Sequence, residues 1–233
     1  MIGTDFGVTK ESFISSLQAF ASVCTASQIP LQVVRFFFGA SLCALRKKDD
    51  GIRPIAVGCV LRRVIAKAVC SNVTWTNRQF KFSDTTRHWR VRRSNSCRAR
   101  SSPLFSACEK SEGLLKLDFK NAFNTIERNK LLTAVSEHFP ELAHFVFSSY
   151  GSTSFLFHGD TTIESAQSVQ QGDPLGPLLF AISIFEATST PKCKFAIWYL
   201  DDGTLGGSAQ EVYTELDRVA HSCASIGLKL NAA

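Results

Sequence analysis

Apolar residues recur with two different periods along this chain of 233 residues, and the periods divide it into elements. In "TKESFISSLQAFASVC", Phe13, Ile14, Leu17, Phe20 and Cys24 fall at helical spacing. "LQVVRFFFGASLCAL" is a helix or a strand by its pattern. A polar turn at Asp49, Asp50 and Gly51 and a short extended stretch follow it. Arg53 precedes Pro54, which biases it away from helix. "VLRRVIAKAVCSNV" predicts a helix. "GLLKLDFKNAF" predicts a buried strand over 114–119 and then a helix to about Phe139, with Pro140 beyond its end. "TSFLFHG" and "TIESAQSV" predict two strands about a turn at His158, Gly159 and Asp160. "DPLGPLLFAISIFEAT" becomes helical after Pro177. "KFAIWYL" and "GTLGG" predict a hairpin with Asp201 and Asp202 at its tip. The last helix opens on a capping box, Ser208 with Glu211, and Gly227 is its expected C′ residue. The order of elements after residue 113 predicts an α+β fold, an antiparallel sheet backed by helices.

One stretch breaks the pattern. Residues 71–104 include "NRQFKFSDTTRHWRVRRSNSCRARSS", with seven arginines, many serines and no apolar period. It reads as a loop, and it is too long for a compact domain unless it has a function. This stretch also sets the charge map. Residues 35–100 hold 16 Lys/Arg against 3 Asp/Glu, a net +13, while the remainder carries a net −7. A basic segment beside an acidic one suits a polyanion gripped by the first and a metal held by the second, or else a solvated basic loop.

Composition narrows the class. With 45% apolar residues, 19 of them Phe, the chain is not a disordered one. No apolar run reaches the ~20 residues that span a bilayer, so no membrane role is expected. The N-terminal "MIGTDFGVTKESF" lacks the layout of a signal peptide. No two of the eight cysteines are closer than 11 residues, which excludes a CxxC knuckle. They read as reduced, mostly buried thiols of an intracellular protein, nuclear or cytoplasmic. Nothing points to an oligomer.

The adjacent Asp201 and Asp202 raise the chemical question, because neighbouring carboxylates at a buried turn repel unless a cation neutralises them. A third carboxylate, Asp118 in "LLKLDFKNAFN", sits where a buried strand emerges. Three carboxylates on neighbouring strand ends suit two Mg²⁺ ions and in-line phosphoryl transfer. Taken singly, a DD pair is usually a solvated turn and a lone Asp after a strand a helix N-cap. "QQGDPLGP", residues 170–177, fixes a backbone path that feeds a helix whose amides can meet phosphate, or is an ordinary turn.

The order of these stretches is more specific than any one of them. Asp118, then "QGDPLGPLLF", then "YLDD", with 53 residues to Gln171 and 28 more to Tyr199, resembles a reverse transcriptase palm of the non-LTR (LINE-like) retrotransposon type and its group II intron relatives. "LKLDFKNAFNTI" is similar to family motif A, "QGDPLGPLLF" to motif B and "YLDD" to motif C. "GIRPIAV" resembles motif 2 of the fingers, and "GLKLN" the start of motif D. The resemblance implies a right-hand polymerase palm with partial fingers: an N-terminal helical segment over 1–34, partial fingers over 35–113 and palm over 114–233. It implies RNA-directed DNA polymerisation, with an RNA template, a DNA primer and dNTPs as partners and two Mg²⁺ ions, or Mn²⁺, as cofactors. Asp118 and Asp201 would be the principal metal ligands and Asp202 the supporting one. Phe123, five residues after Asp118, matches the steric gate that rejects a ribose 2′-OH, or is a core residue. Gln171 and Gly172 would line the dNTP and template pocket, Arg53 would contact the triphosphate, and Tyr199 the primer end. Leu200 stands where LINE-like enzymes more often have Ala and other branches have Leu.

Two departures qualify these expectations. Over 75–108 the family usually has a glycine-containing fingers stretch and a helix; here the arginine–serine stretch stands, as an RNA-binding insertion or as the product of a frameshift. In the family, motif D continues to a lysine that can protonate pyrophosphate, and Lys229 is not at the matching place. The expectation is a fragment truncated before the thumb, extending a primer poorly or not at all while salt-sensitive nucleic-acid binding survives. The competing readings are a catalytically dead remnant and another palm enzyme such as a nucleotide cyclase, against which "QGDPLGP" argues.

Overall fold

The computed structural model describes residues 9–46, 50–76 and 112–231, the side chains of 73–76 excepted. The arginine–serine stretch from residue 77 to 111, with the irregularity expected of it, lies outside the described residues.

Helix α1 (Lys10–Thr25) starts at Thr9, whose hydroxyl accepts from the Ser12 N–H. The ambiguous "LQVVRFFFGASLCAL" divides into both alternatives, helix α2 (Leu31–Phe37) and strand β1 (Ala40–Arg46). Strand β2 (Ile52–Gly58) pairs antiparallel with β1, and helix α3 (Val60–Thr76) follows. Strand β3 (Glu112–Leu117) then leads to α4 (Ala122–Thr125) and α5 (Arg128–His138). The single helix expected to Phe139 is thus two, broken at Ile126 and Glu127. Ile126 is extended (φ −55°, ψ 131°), and the Glu127 N–H donates to the Ile226 carbonyl rather than within a helix. The Ile126 side chain is buried there, so packing overrides a local sequence that carries no breaker.

Pro140 both stops one helix and starts another. It denies helical geometry to Phe139 (φ −141°, ψ 64°) and occupies the first turn of α6 (Pro140–Tyr150). Helix α6 has no counterpart in the sequence reading. It buries Leu142, Phe145, Val146, Ser149 and Tyr150, one helical stripe, and packs on α5, which buries Leu131, Leu132 and Val135.

Strands β4 (Ser154–His158) and β5 (Thr161–Ser165) form the expected hairpin. Strand β4 also pairs in parallel with β1, giving a four-stranded sheet of order β2-β1-β4-β5. Helices α7 (Gly176–Ser183) and α8 (Phe185–Thr188) precede the second sheet, β6 (Phe195–Tyr199) and β7 (Asp202–Ser208) paired with β3 in the order β3-β7-β6. Helix α9 (Ala209–Ala224) carries the Ser208/Glu211 capping box. Its C-cap is Ser225, so Gly227 (φ 87°) sits two residues past the cap rather than one.

The core joins α5, α6, α7 and α9 to the three-stranded sheet through Leu131, Val146, Leu179, Phe180, Leu205 and Val219, all fully buried. The fold is α+β, with mainly antiparallel sheets backed by helices. Among the described residues, no helix is long and apolar enough to cross a membrane. Of the described cysteines, Cys24, Cys193 and Cys223 are buried, Cys70 is half-buried, and Cys43 and Cys59 are exposed, so the expectation of mostly buried thiols holds for only some of them.

Candidate functional site

Register decides which strand ends meet. Pairing of β3 with β7 sets Leu117 opposite Gly203, so Asp118 leaves β3 beside the start of β7. Pairing of β6 with β7 sets Tyr199 opposite Asp202, which leaves Leu200 and Asp201 as a two-residue turn. Asp118, Asp201 and Asp202 therefore come to one edge of the three-stranded sheet.

The turn is strained at one residue. Leu200 has φ 56°, the left-handed region that β-hairpin turns of the primed types demand and that glycine or asparagine fills most cheaply. Below it, Gly203 leaves the Trp198 ring room to lie across the strand; a Cβ there would come within 2.5 Å of the ring. Trp198 in turn stacks on Phe119, the residue after Asp118, at 6.2 Å.

Each carboxylate is held differently. Asp118 is exposed, and its Oδ2 accepts from the Asn231 side-chain amide at 3.2 Å. Asp202 pairs with Lys116 at 3.5 Å across exposed surface. Burial pushes the half-buried Asp201 carboxyl up, its own backbone N–H pulls it down, Asp202 and Asp118 push it up further, and Arg53 opposes them. Asp201 thus feels both other carboxylates and the guanidinium of Arg53. Three carboxylates that repel one another beside water are a hard-oxygen donor set, and a divalent cation of the Mg²⁺ type fits it. Their oxygens do not all close to within 4.8 Å; among the described residues the group that does is Glu137, His138 and Glu186, of which the two glutamates are exposed.

The remaining predicted residues lie on β2, on α4, on the loop before α7 and at the end of β6. Arg53 is exposed on β2. Gln171 and Gly172 form the tip of the loop before α7, and this tip is fastened to β2: the Ala56 N–H donates to the Gln171 carbonyl at 2.7 Å. Gly172 has φ 118°, and a Cβ on it would stand 2.6 Å from the Ala56 carbonyl oxygen, so only glycine fits the approach. Phe123 is half-buried at the start of α4, its ring stacked on Phe180 of α7 at 4.7 Å. Tyr199 is exposed at the end of β6.

Sequence reasoning missed the side chains that hold the loop. Arg62 of α3 is buried and pairs with Asp173; its Nη1 donates to the Phe38 carbonyl at 2.6 Å and to Gln170 Oε1 at 2.8 Å. The Tyr150 hydroxyl donates to Asp173 at 2.6 Å, and the other Asp173 oxygen accepts from the Leu175 N–H. Burial, with the Asp173 charge next, raises the Tyr150 hydroxyl well above its ordinary range. The two charges are thus held in the core by each other and by hydrogen bonds to the Phe38 carbonyl, Gln170, Tyr150 and the Leu175 N–H. A buried arginine in "VLRRVIAK" could have been suspected from its place in a helical apolar stripe; its partner, 111 residues away, could not.

Comparison with known proteins gives a consistent picture. A family model described as reverse transcriptase (RNA-dependent DNA polymerase) matches residues 45–233. The chain is similar to the retrotransposable element SLACS 132 kDa protein of Trypanosoma brucei gambiense, 27% identical over 218 residues, which covers 88% of this chain and 18% of that protein. Among solved structures it is similar to an apo telomerase from Candida tropicalis truncated from its C-terminal domain, with a TM-score of 0.55 and 14% identity over 94% of this chain and 54% of the other. The chain spans about half the length of that telomerase and less than a fifth of the retrotransposon protein.

Proposed function

Because the chain belongs to the reverse transcriptase (RNA-dependent DNA polymerase) family, we propose that its carboxylate edge transfers a nucleotide from a dNTP to a primer 3′-OH on an RNA template. The observation that carries this reading is the register of β3, β7 and β6, which brings Asp118 to the Leu200–Asp201 turn with Arg53 in electrostatic reach.

Asp118 and Asp201 would hold two Mg²⁺ ions, or Mn²⁺, with Asp202 in support. Those ions would supply an activated primer hydroxyl and a stabilised pyrophosphate leaving group. The chain's own groups do the positioning. Arg53, a permanently charged fork, binds the triphosphate. Phe123, backed by Phe180, presents a ring edge that excludes a ribose 2′-OH. Gln171 and Gly172, tied to β2, form the floor for the base pair, and Tyr199 supports the primer end. In this reading residues 35–113 are partial fingers and 114–233 the palm; β1, from the first, and β4, from the second, share a sheet. An intracellular site of action, RNA template and DNA primer belong to the same proposal.

The test is dTTP incorporation on poly(rA)·oligo(dT) with Mg²⁺ or Mn²⁺, beside Asp201→Asn. Incorporation that is low, as the sequence leads one to expect, but depends on the divalent ion and falls at least ~10²-fold in Asp201→Asn is the expected result, the scale on which a positioned catalytic group acts. Equal incorporation by the two proteins would remove Asp201 from the chemistry.

A further inference from the structure

Beyond α9 the chain turns back along the loop that carries Asp118. The Lys120 N–H donates to the Lys229 carbonyl at 2.9 Å, and the Asn231 N–H donates to the Asp118 carbonyl at 2.8 Å, with Phe119 and Leu230 bridged antiparallel between them. Side chains alternate along this short ladder. Leu228 is buried and Leu230 packs against the core, while Lys229 and Asn231 face outward on the side of Asp118 and Lys120. Asn231 thus stands directly across from Asp118, and its amide reaches the carboxylate at 3.2 Å.

We infer that Asn231 is a positioning residue for Asp118: its side-chain amide fixes the rotation of the carboxylate so that the second oxygen is aimed at the cation site. The inference rests on the metal-site reading above. The three carboxylates are held in three ways, and the differences have consequences. Lys116 sets a positive charge 3.5 Å from Asp202 across exposed surface. Asp201 is held by its place in the two-residue turn between β6 and β7. An asparagine amide is uncharged, so it orients Asp118 without cancelling the charge a cation needs. It takes one oxygen of a group that has two, and a hydrogen-bonded outer partner of this kind lowers the cost of ordering a metal ligand. The backbone ladder holds Asn231 in register independently of its side chain, so truncating the amide leaves the segment in place.

The experiment is a Mn²⁺ titration of the full chain, followed by the electron paramagnetic resonance signal of free Mn²⁺, for the unmodified protein, Asn231→Ala, Asn231→Gln and Asp118→Asn, with a thermal melt of each. Asn231→Ala is expected to weaken Mn²⁺ binding about tenfold, the low end of what loss of a ligand's outer partner costs, with an unchanged melting temperature. Asn231→Gln, which carries the same amide on one more methylene, is expected to restore most of the loss. Under primer extension, Asn231→Ala should raise the Mg²⁺ concentration for half-maximal rate more than it lowers the rate at saturating Mg²⁺. Binding by Asn231→Ala as tight as that of the unmodified chain, while Asp118→Asn has lost it, overturns the positioning role alone. A weaker binding that follows a lowered melting temperature and is not rescued by Gln also overturns it, since the role would then be structural. Unchanged binding by Asp118→Asn overturns the metal-site reading and this inference with it.

Discussion

Arg62 and Asp173 meet in the interior, where neither would be tolerated alone. Their pair is worth little as Coulomb energy, because both charges were taken out of water to make it. What it supplies is a fixed path for the Gln170–Leu175 backbone, and so for the Gln171–Gly172 tip that faces β2. Removing one partner is the informative change. Arg62→Met would leave the Asp173 carboxylate buried against Tyr150 with no cation, and should cost about 3–5 kcal/mol of stability. Urea denaturation of the two proteins measures it; a loss below about 1 kcal/mol would mean that Asp173 escapes to water or protonates cheaply.

At the scale of elements, the β6–β7 turn carries strain that its sequence could have avoided. Leu200 at φ 56° costs roughly 1 kcal/mol that glycine would not pay. The Leu200 side chain also packs against the core, so Leu200→Gly relieves the strain but loses that burial and frees the unfolded chain, and should lower stability by about 1 kcal/mol rather than raise it. If the strained turn aims Asp201, the same variant should lose incorporation by more than this small loss of stability accounts for, read by primer extension well below its melting temperature. A variant that keeps full incorporation would show that the strain is idle. Helix α9 is docked in a different way, through buried Glu215, which accepts from the Lys192 N–H and from Arg218. Burial pushes the Glu215 carboxyl up, but the Arg218 and Lys192 hydrogen bonds and charges outweigh it and hold it below the usual range. A depressed carboxylate contributes stability above its unfolded pKa of about 4.3, and loses it as pH falls through the folded value. The stability gap between the unmodified chain and Glu215→Gln should thus be full near pH 6–7 and close below about pH 4. A gap that stays constant down to pH 3 would exclude the ionised pair as its source.

For the whole molecule, charge is the property that survives loss of detail. The net +13 over residues 35–100 predicts polyanion binding that weakens steeply with salt, since each phosphate contact releases counterions. Anisotropy titrations of a labelled RNA–DNA hybrid at 50 and 200 mM salt should differ by at least about tenfold, and Asp201→Asn should bind as the unmodified chain does. A salt-independent affinity would remove the basic segment from nucleic-acid binding.

The sequence by itself determined the elements whose signals are local. The period of "TKESFISSLQAF", the Ser208/Glu211 box and the His158–Asp160 turn all act over one helical turn or one hairpin, and each element lies where its residues put it. It also determined the family, because the order and spacing of three motifs needs no coordinates. Tertiary structure decided what depends on partners far along the chain. The break at Ile126 exists because Glu127 binds Ile226, and α6 earned its stripe only against α5. The ion pair of Arg62 joins residues 111 apart, and the amide that reaches Asp118 comes from 113 residues away. A side chain's local neighbours set its backbone preference, but burial and pairing are properties of whatever folds against it. That is why the acidic residues could be named from the sequence, while the side chains that contact them could not.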